Sequence, residues 1–479
     1  MWMSGDHFFY SPGVFEADLP AGRTTVEAVK GFDNFPAEAR VQIVPGRTTS
    51  LDLRLRPVEG MNGQGWYCGD GHIHGNYEQD QSATAQDDLL VAEAEGLNVA
   101  GMMVSNGAGS RVFDERYFEG KPNPVSRPRC ILYWNQEMRT SGFYGHLVLG
   151  NLRKLVQPIY TGFPGTPHWE DSPSNYEQAR QAKTEGGFTA YAHPALSFEK
   201  FPWGSSAGEA VVDVPLGVID AIEVFCSQEE TSAQLWYRFL NLGFKVGAVA
   251  GSDAESLNYR YSMITGGARL YVYTGEDFSY RRWIEGVRQG RVFATQGPML
   301  FFAVGGKEAG GEFHLPARPA DLAASARASS YIPITKLEIV VNGQVAAQSS
   351  SNVPTSHLEW EGTLHFEKSA WVAARVWGPG NRLIANGPSR WAERSSPWVL
   401  LAHSGPLYVK VGNSTVFSAA DRDYMLRWTD AFTKRVQNEA HFASDAHREE
   451  VLAICRRARQ IYTELPGKVS NPDAARVRW

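Results

Sequence analysis

The chain has 479 residues, more than one ordinary hydrophobic core supports, so two to four domains are expected. With 43% hydrophobic and 20% charged residues it reads as globular rather than disordered, and a net charge of −6 with no basic stripe excludes a nucleic-acid partner from the leading readings. No run of about 20 apolar residues occurs, so no membrane span is expected.

The first period-two runs fall at 24–29, 39–44 and 51–55, punctuated by Pro and Gly, and predict a small antiparallel β module over residues 1–58. Three glycines between 59 and 65 mark a linker. Between 66 and 295 the rhythm changes. Apolar strands at 98–104, 131–137, 146–149, 187–192, 221–225, 245–250 and 268–273 alternate with helical patterns at 85–95, 175–184, 229–241 and 277–289. Such alternation favours parallel strands with crossover helices, in a barrel or an open sheet. Beyond Gly297 strands return: 336–341 runs into the hairpin signal Asn342-Gly343, and 370–376 follows. Residues 419–465 carry apolar positions at helical spacing and predict a helical tail packed on a neighbouring domain. The expected division is therefore 1–58, 59–300, 301–412 and 413–479.

Cys68, Cys130, Cys226 and Cys455 are far apart and form no CxxC pair, which points to buried free thiols. Residues 1–13 lack the basic start and apolar run of an export signal, so the chain as written reads as cytoplasmic, while the strand-like Phe8-Phe9-Tyr10 leaves room for an upstream segment.

The strongest local signal is Gly69-Asp70-Gly71-His72-Ile73-His74. Two histidines at i and i+2 on an extended segment project to one side and bring both imidazoles to one cation. Further metal-ligand side chains recur at the strand ends: Glu137 closes one strand, His146 opens the next, and His193 and Asp253 each follow another. Parallel strands gather their carboxyl ends at one rim, where α/β enzymes place reacting groups. Singly, each residue has an equally good structural explanation, such as a satisfied core histidine, an ion pair with Arg139 or a capping aspartate. Six hard or borderline donors at equivalent places are harder to dismiss together.

The ordered segments Gly69 to His74, Gln136-Glu137-Met138, Gly145-His146, Ala192-His193-Pro194, Ile222-Glu223-Val224 and Gly251-Ser252-Asp253-Ala254 resemble the PHP (polymerase and histidinol phosphatase) hydrolase superfamily. More narrowly they look like its CehA/McbA-type branch. The resemblance covers residues 66–295 and implies a distorted (β/α)7-type barrel, here flanked by small antiparallel β domains and the helical tail. It also implies that His72, His74, Glu137 and Asp253 hold one divalent cation. Glu137 would bridge to a second, held also by His146 and His193. The family's third site departs from pattern, with Val104-Ser105-Asn106 in place of its Thr-Asp-His element and Glu255 in place of a histidine, so a binuclear centre is expected.

Two dications sharing a carboxylate lower the pKa of a common water and polarise the bond under attack, so no serine or cysteine nucleophile is required, and no Gly-x-Ser-x-Gly elbow is present. The expectation is a hydrolase of an ester-like bond (phosphoester, carboxyl ester or carbamate) in a small-molecule substrate, with zinc, manganese or iron as the metal. Glu223 fits a carboxylate that orients a ligand, Asp70 a group that orients a histidine or accepts a proton, and Arg139, Arg111 and Asn76 contacts to an anion or oxyanion. The Gly/Pro-rich stretch 160–167 is the expected substrate loop, and His403, far past the catalytic unit, is read as structural. The alternative is a catalytically eroded protein whose β modules bind carbohydrate or another surface. Members of the branch are often exported, a feature this sequence does not signal.

Overall fold

The structure is a computed structural model that describes residues 2–3, 6–77, 82–107, 111–140, 144–194, 207–226, 229–257, 263–380 and 399–466. It is a mixed α/β protein whose largest sheet threads most of the chain, with seven α-helices among the described residues.

At the start, β1 (Gly22–Ala28) and β2 (Ala37–Ile43) pair antiparallel with alternating exposure, as their period-two pattern requires. The third run, 51–55, forms no strand; Leu51 is exposed, and no neighbouring segment offers it a ladder. Alternation sets a face, but a strand also needs a partner.

The site-bearing part begins with β3 (Trp66–His74), helix α1 (Ala85–Ala94), β4 (Val99–Gly107), β5 (Ile131–Thr140) and β6 (Leu147–Gly150). Thr84 and Asp87 close a reciprocal capping box at the start of α1, satisfying donors that a bare helix end leaves open. The chain continues through α2 (Asn175–Thr184), β7 (Phe188–Tyr191), the single turn α3 (Ala210–Asp213), β8 (Ala221–Phe225), α4 (Glu229–Leu240) and β9 (Gly247–Ala250). Next come β10 (Arg269–Tyr273), α5 (Tyr280–Arg288) and β11 (Val292–Thr295).

The ladders run β9, β8, β7, β6, β5, β4, β3, β10, β11. Most of the first seven pair parallel, but β6 is antiparallel to both β5 and β7. The alternation of strands and helices favours parallel pairing, and two of the expected strands depart from it: β10 is antiparallel to β3, and β6 reverses because the short connection from Thr140 to Leu147 leaves no room for a crossover helix. Among the described residues no sheet closes on itself. After Ala250 the chain leaves β8, and Ala254–Glu255 pair instead with Ile73–His74 of β3. Single backbone bonds from Gly251 N–H to Phe225 O and from Asp253 N–H to His72 O span the change.

Beyond these, β12 (Met299–Val304), the long hairpin of β13 (Ala320–Val341) and β14 (Gln344–Phe366), β15 (Ala370–Gly378), β16 (Val399–Ser404) and β17 (Leu407–Val411) continue the same sheet through the β11–β16 pairing. The hairpin turns at Asn342-Gly343, both residues at positive φ, which an Asn-Gly pair accommodates with little strain. Helices α6 (Ala419–Asn438) and α7 (Asp445–Glu464) bury apolar positions at helical spacing, and Tyr462 of α7 donates its hydroxyl to Val211 O in α3. All four cysteines are free and buried. Among the described residues no helix is long and apolar enough to cross a membrane.

Candidate metal centre

His72 and His74 leave the end of β3 on one face, with ring centroids 5.2 Å apart. Glu137 lies late in β5 opposite Val148 of β6, so His146, just before β6, stands at the same rim. The antiparallel return thus delivers two candidate ligands to one rim where a parallel crossover would have placed His146 at the far end of the sheet. His193 follows β7 at φ 30° and Asp253 follows β9 at φ 51°, a left-handed backbone that non-glycine residues adopt at a cost and that recurs at functional sites.

These six side chains meet. His74 Nε2 lies 3.0 Å from Asp253 Oδ1 and 3.6 Å from Glu137 Oε2, and His72 Nε2 lies 3.3 Å from Asp253 Oδ1 and 3.9 Å from Glu137 Oε1. On the other side of Glu137, Oε1 is 3.0 Å from His146 Nδ1 and 3.5 Å from His193 Nε2. Those two ring nitrogens are 3.4 Å apart. His72, His74 and Asp253 offer one set of convergent donors, and His72, Glu137 and His193 another.

Burial grades across the cluster. His72 is fully buried, Glu137 nearly so, and the Asp253 side chain is 38% exposed, so the centre opens to solvent on the Asp253 side. The opening is a cavity of about 140 Å³ lined by His74, Tyr77, Glu137, Arg139, His146, His193, Asp253 and Glu255.

Behind these side chains stand further carboxylates. Glu223, also buried, lies 3.3 Å from His72 Nδ1 and accepts the backbone N–H of His193 at 2.7 Å. A hydrogen bond at Nδ1 leaves Nε2 as the His72 donor atom, and that nitrogen is buried without a hydrogen-bond partner. The packing here admits no side chain at position 251: a Cβ on Gly251 would fall 2.3 Å from Glu223 Oε1 and 2.4 Å from His72 Cβ. Asp70 does not line the cavity. Its carboxylate is taken up by the backbone N–H groups of His72 (3.0 Å), Ser252 (2.9 Å) and Gly266 (2.7 Å), tying β3 to the Asp253 segment.

The electrostatics of the cluster are set by imidazoles and carboxylates that hold one another charged. Burial lowers the affinity of His72 for a proton, yet Asp253, Glu223 and Glu137 outweigh that and push it up to about 10. Burial likewise opposes ionisation of Glu137, but the imidazoles of His146, His193 and His72 hold it well below the usual carboxylate range. Asp253 is held low in the same way by His72, His74 and His193. Three carboxylates around His72 favour positive charge there, which a proton or a divalent cation can supply. With the imidazoles neutral and the carboxylates ionised, these side chains are a donor set suited to divalent cations of the zinc, manganese or iron kind.

The other anticipated contacts divide. Arg139 lines the cavity with its guanidinium 5.3 Å from the Tyr77 ring, and Tyr77 in turn stands 5.1 Å from the ring of His74. Tyr77 was not singled out from the sequence, where its position three residues after His74 was the only available signal. Arg111 is exposed over Phe113, away from the cavity lining. Asn76 is consumed internally, its amide bonded to Asp114 and to the backbone of Ala83. In the 160–167 stretch, Tyr160–Thr161 pairs with Arg139–Thr140, which sets the following loop beside the end of β5. Glu255 reaches the cavity, and the side chain of Ser105 lies outside the described residues. His403 is not among the residues at the cavity; it is buried against Tyr237 and Ser404.

No protein-family model matches the sequence, and no curated protein matches it. Among solved structures, the chain has a distant likeness to a two-domain protein from Bacteroides vulgatus that contains a predicted PHP-like metal-dependent phosphoesterase. The identity is 12% and the TM-score 0.37, over 74% of this chain and 100% of the other.

Proposed function

We propose that the protein is a metal-dependent hydrolase of ester-type bonds, with His72, His74, Glu137 and Asp253 holding one divalent cation and Glu137, His146 and His193 holding a second. The observation that carries this reading is the buried Nε2 of His72, which makes no hydrogen bond and stands 3.3 Å from Asp253 Oδ1 and 3.9 Å from Glu137 Oε1. A divalent cation between these atoms would satisfy the imidazole nitrogen and both carboxylates at once. The rim order of the ligands, and the turn that carries 251–253 from β8 to β3, fit a distorted barrel left open at that point.

Bound there, two divalent cations would lower the pKa of a shared water and polarise the bond to be cleaved. The chain's own residues do the rest. Glu223 fixes the His72 ring so that Nε2 faces Asp253 and Glu137, and Asp70 keeps β3 and the Asp253 segment in register. Arg139, on the cavity wall with its guanidinium against Tyr77, meets a negatively charged substrate oxygen. The open Asp253 side admits a small molecule.

Elemental analysis of the purified protein, paired with chromogenic phosphoesters, aryl esters and carbamates, tests this. We expect about two transition metals per chain, as in two-metal hydrolases, and turnover that stops with a chelator and returns with manganese or zinc. Protein that carries well under one metal per chain and hydrolyses nothing on the panel rules the proposal out.

A further inference from the structure

Behind the second half of the cluster lies a polar network that no ligand role explains. Asn175, Tyr191, Glu209 and Asp213 are each 0% exposed, an expensive place for two carboxyl groups. Asn175, the first residue of α2, donates its side-chain amide to Gly145 O at 3.0 Å, where Thr140 Oγ1 also donates at 2.9 Å. The backbone N–H of Asn175 donates to Glu209 Oε2 at 2.9 Å, which holds the backbone from which that amide projects. Tyr191 donates its hydroxyl to Asp213 Oδ2 at 2.5 Å, and that hydroxyl lies 3.5 Å from the Asn175 amide.

The two ends of this network fall beside two metal-ligand candidates. Gly145 immediately precedes His146 and sits at φ 104°, a conformation that needs a constraint to stay single. Tyr191 is two residues ahead of His193, and Ala192 N–H donates to His146 O at 3.0 Å, joining the two segments. Glu209 precedes and Asp213 ends the single turn α3, which the C-terminal helix α7 grips through Tyr462. Apolar packing tolerates small rotations; directional bonds at both backbone segments do not.

Resting on the metal reading above, we propose that Asn175, Tyr191, Glu209 and Asp213 are positioning residues for the second cation. They fix the backbone that carries the His146 and His193 imidazoles, with the C-terminal helices acting as the outer brace of that scaffold. The two histidines must hold ring nitrogens 3.4 Å apart on opposite segments, and the network pins both.

The test uses the full-length chain, stripped of metal and titrated calorimetrically with manganese or zinc, as wild type, Asn175→Leu and Tyr191→Phe. Wild type is expected to take up two equivalents. In the variants the first should bind as before and the second about 10-fold more weakly, the scale seen when outer partners of metal ligands are removed. In metal-free protein the Ala192 amide should exchange with solvent faster in both variants. A folded variant whose two equivalents bind as in wild type, or weaken alike, overturns the inference. Tyr191→Phe removes one hydroxyl and keeps the ring, so it decides the matter should Asn175→Leu fail to fold. Wild type that takes up no metal removes the functional reading itself, a distinct failure seen before any variant is made.

Discussion

Two places in the molecule bury histidines among charged groups, and they solve the problem in opposite ways. At the α4–β15–β16 junction, His403 has both ring nitrogens engaged, Nδ1 with Ser404 O at 2.7 Å and Nε2 with the Tyr237 hydroxyl at 2.5 Å. The neighbouring Arg375 is paired with Glu338 at 2.7 Å. Burial there drives the His403 pKa down to about 3, so the imidazole stays neutral. In the cleft, His72 has one nitrogen beside Glu223 and the other, without a hydrogen bond, facing Asp253 and Glu137, and the surrounding carboxylates push its pKa up instead. Burial is the same; what separates the two is that the protein hydrogen-bonds both nitrogens of His403 and leaves Nε2 of His72 without a hydrogen bond.

Breaking this comparison starts with the ligands. His72→Ala is expected to weaken metal binding by more than the ~10–100-fold typical of outer partners, and to abolish hydrolysis, as measured by metal titration and turnover. His403→Gln should leave both unchanged. If the two variants behaved alike, the distinction would collapse.

Next in size is Glu223→Gln, which replaces the carboxylate beside His72 Nδ1 with an amide. Metal affinity should fall by about 10–100-fold with the fold intact, read by chelator competition and circular dichroism. An unchanged affinity would show that the His72 ring is oriented by packing alone.

The third outcome sharpens the other side. The folded His403 pKa lies far below the ordinary 6.5, so between 6.5 and about 3 the unfolded chain binds a proton that the folded chain refuses. Stability is therefore lost as pH falls through that window. Urea unfolding should give about 2 kcal/mol less stability from this residue at pH 5 than at pH 7. Titrations of wild type and His403→Gln with the same slope would contradict it. Acid should act on the cleft too, but by releasing metal, because protonated imidazoles do not bind it.

Much of the secondary structure was legible. The helix pattern at 175–184 and the strand pattern at 221–225 coincide with α2 and β8 to the residue, because apolar periodicity and capping residues are local. The run at 51–55 was not legible as coil, since its alternation gives no sign that a partner is missing. The direction of β6 was equally hidden: Leu147–Gly150 reads the same whichever way its neighbours run. Among the site residues, Asn76 shows the limit of reading by residue type. It sits close to the histidine pair in sequence, yet its amide is spent on Asp114 and Ala83.

What the sequence alone determined, then, is which elements form and which residue types stand at their ends, because periodicity, caps and turn residues act over a few positions. Only the tertiary structure decided that β6 runs backward to bring His146 beside Glu137, and that Glu223 meets His72 across 151 residues of chain. Tertiary structure also decided that Asp70 serves three backbone N–H groups and not the cavity. Each of these is a contact between distant segments, fixed by the geometry of packing and by the need to satisfy every buried polar group, and no local pattern encodes it.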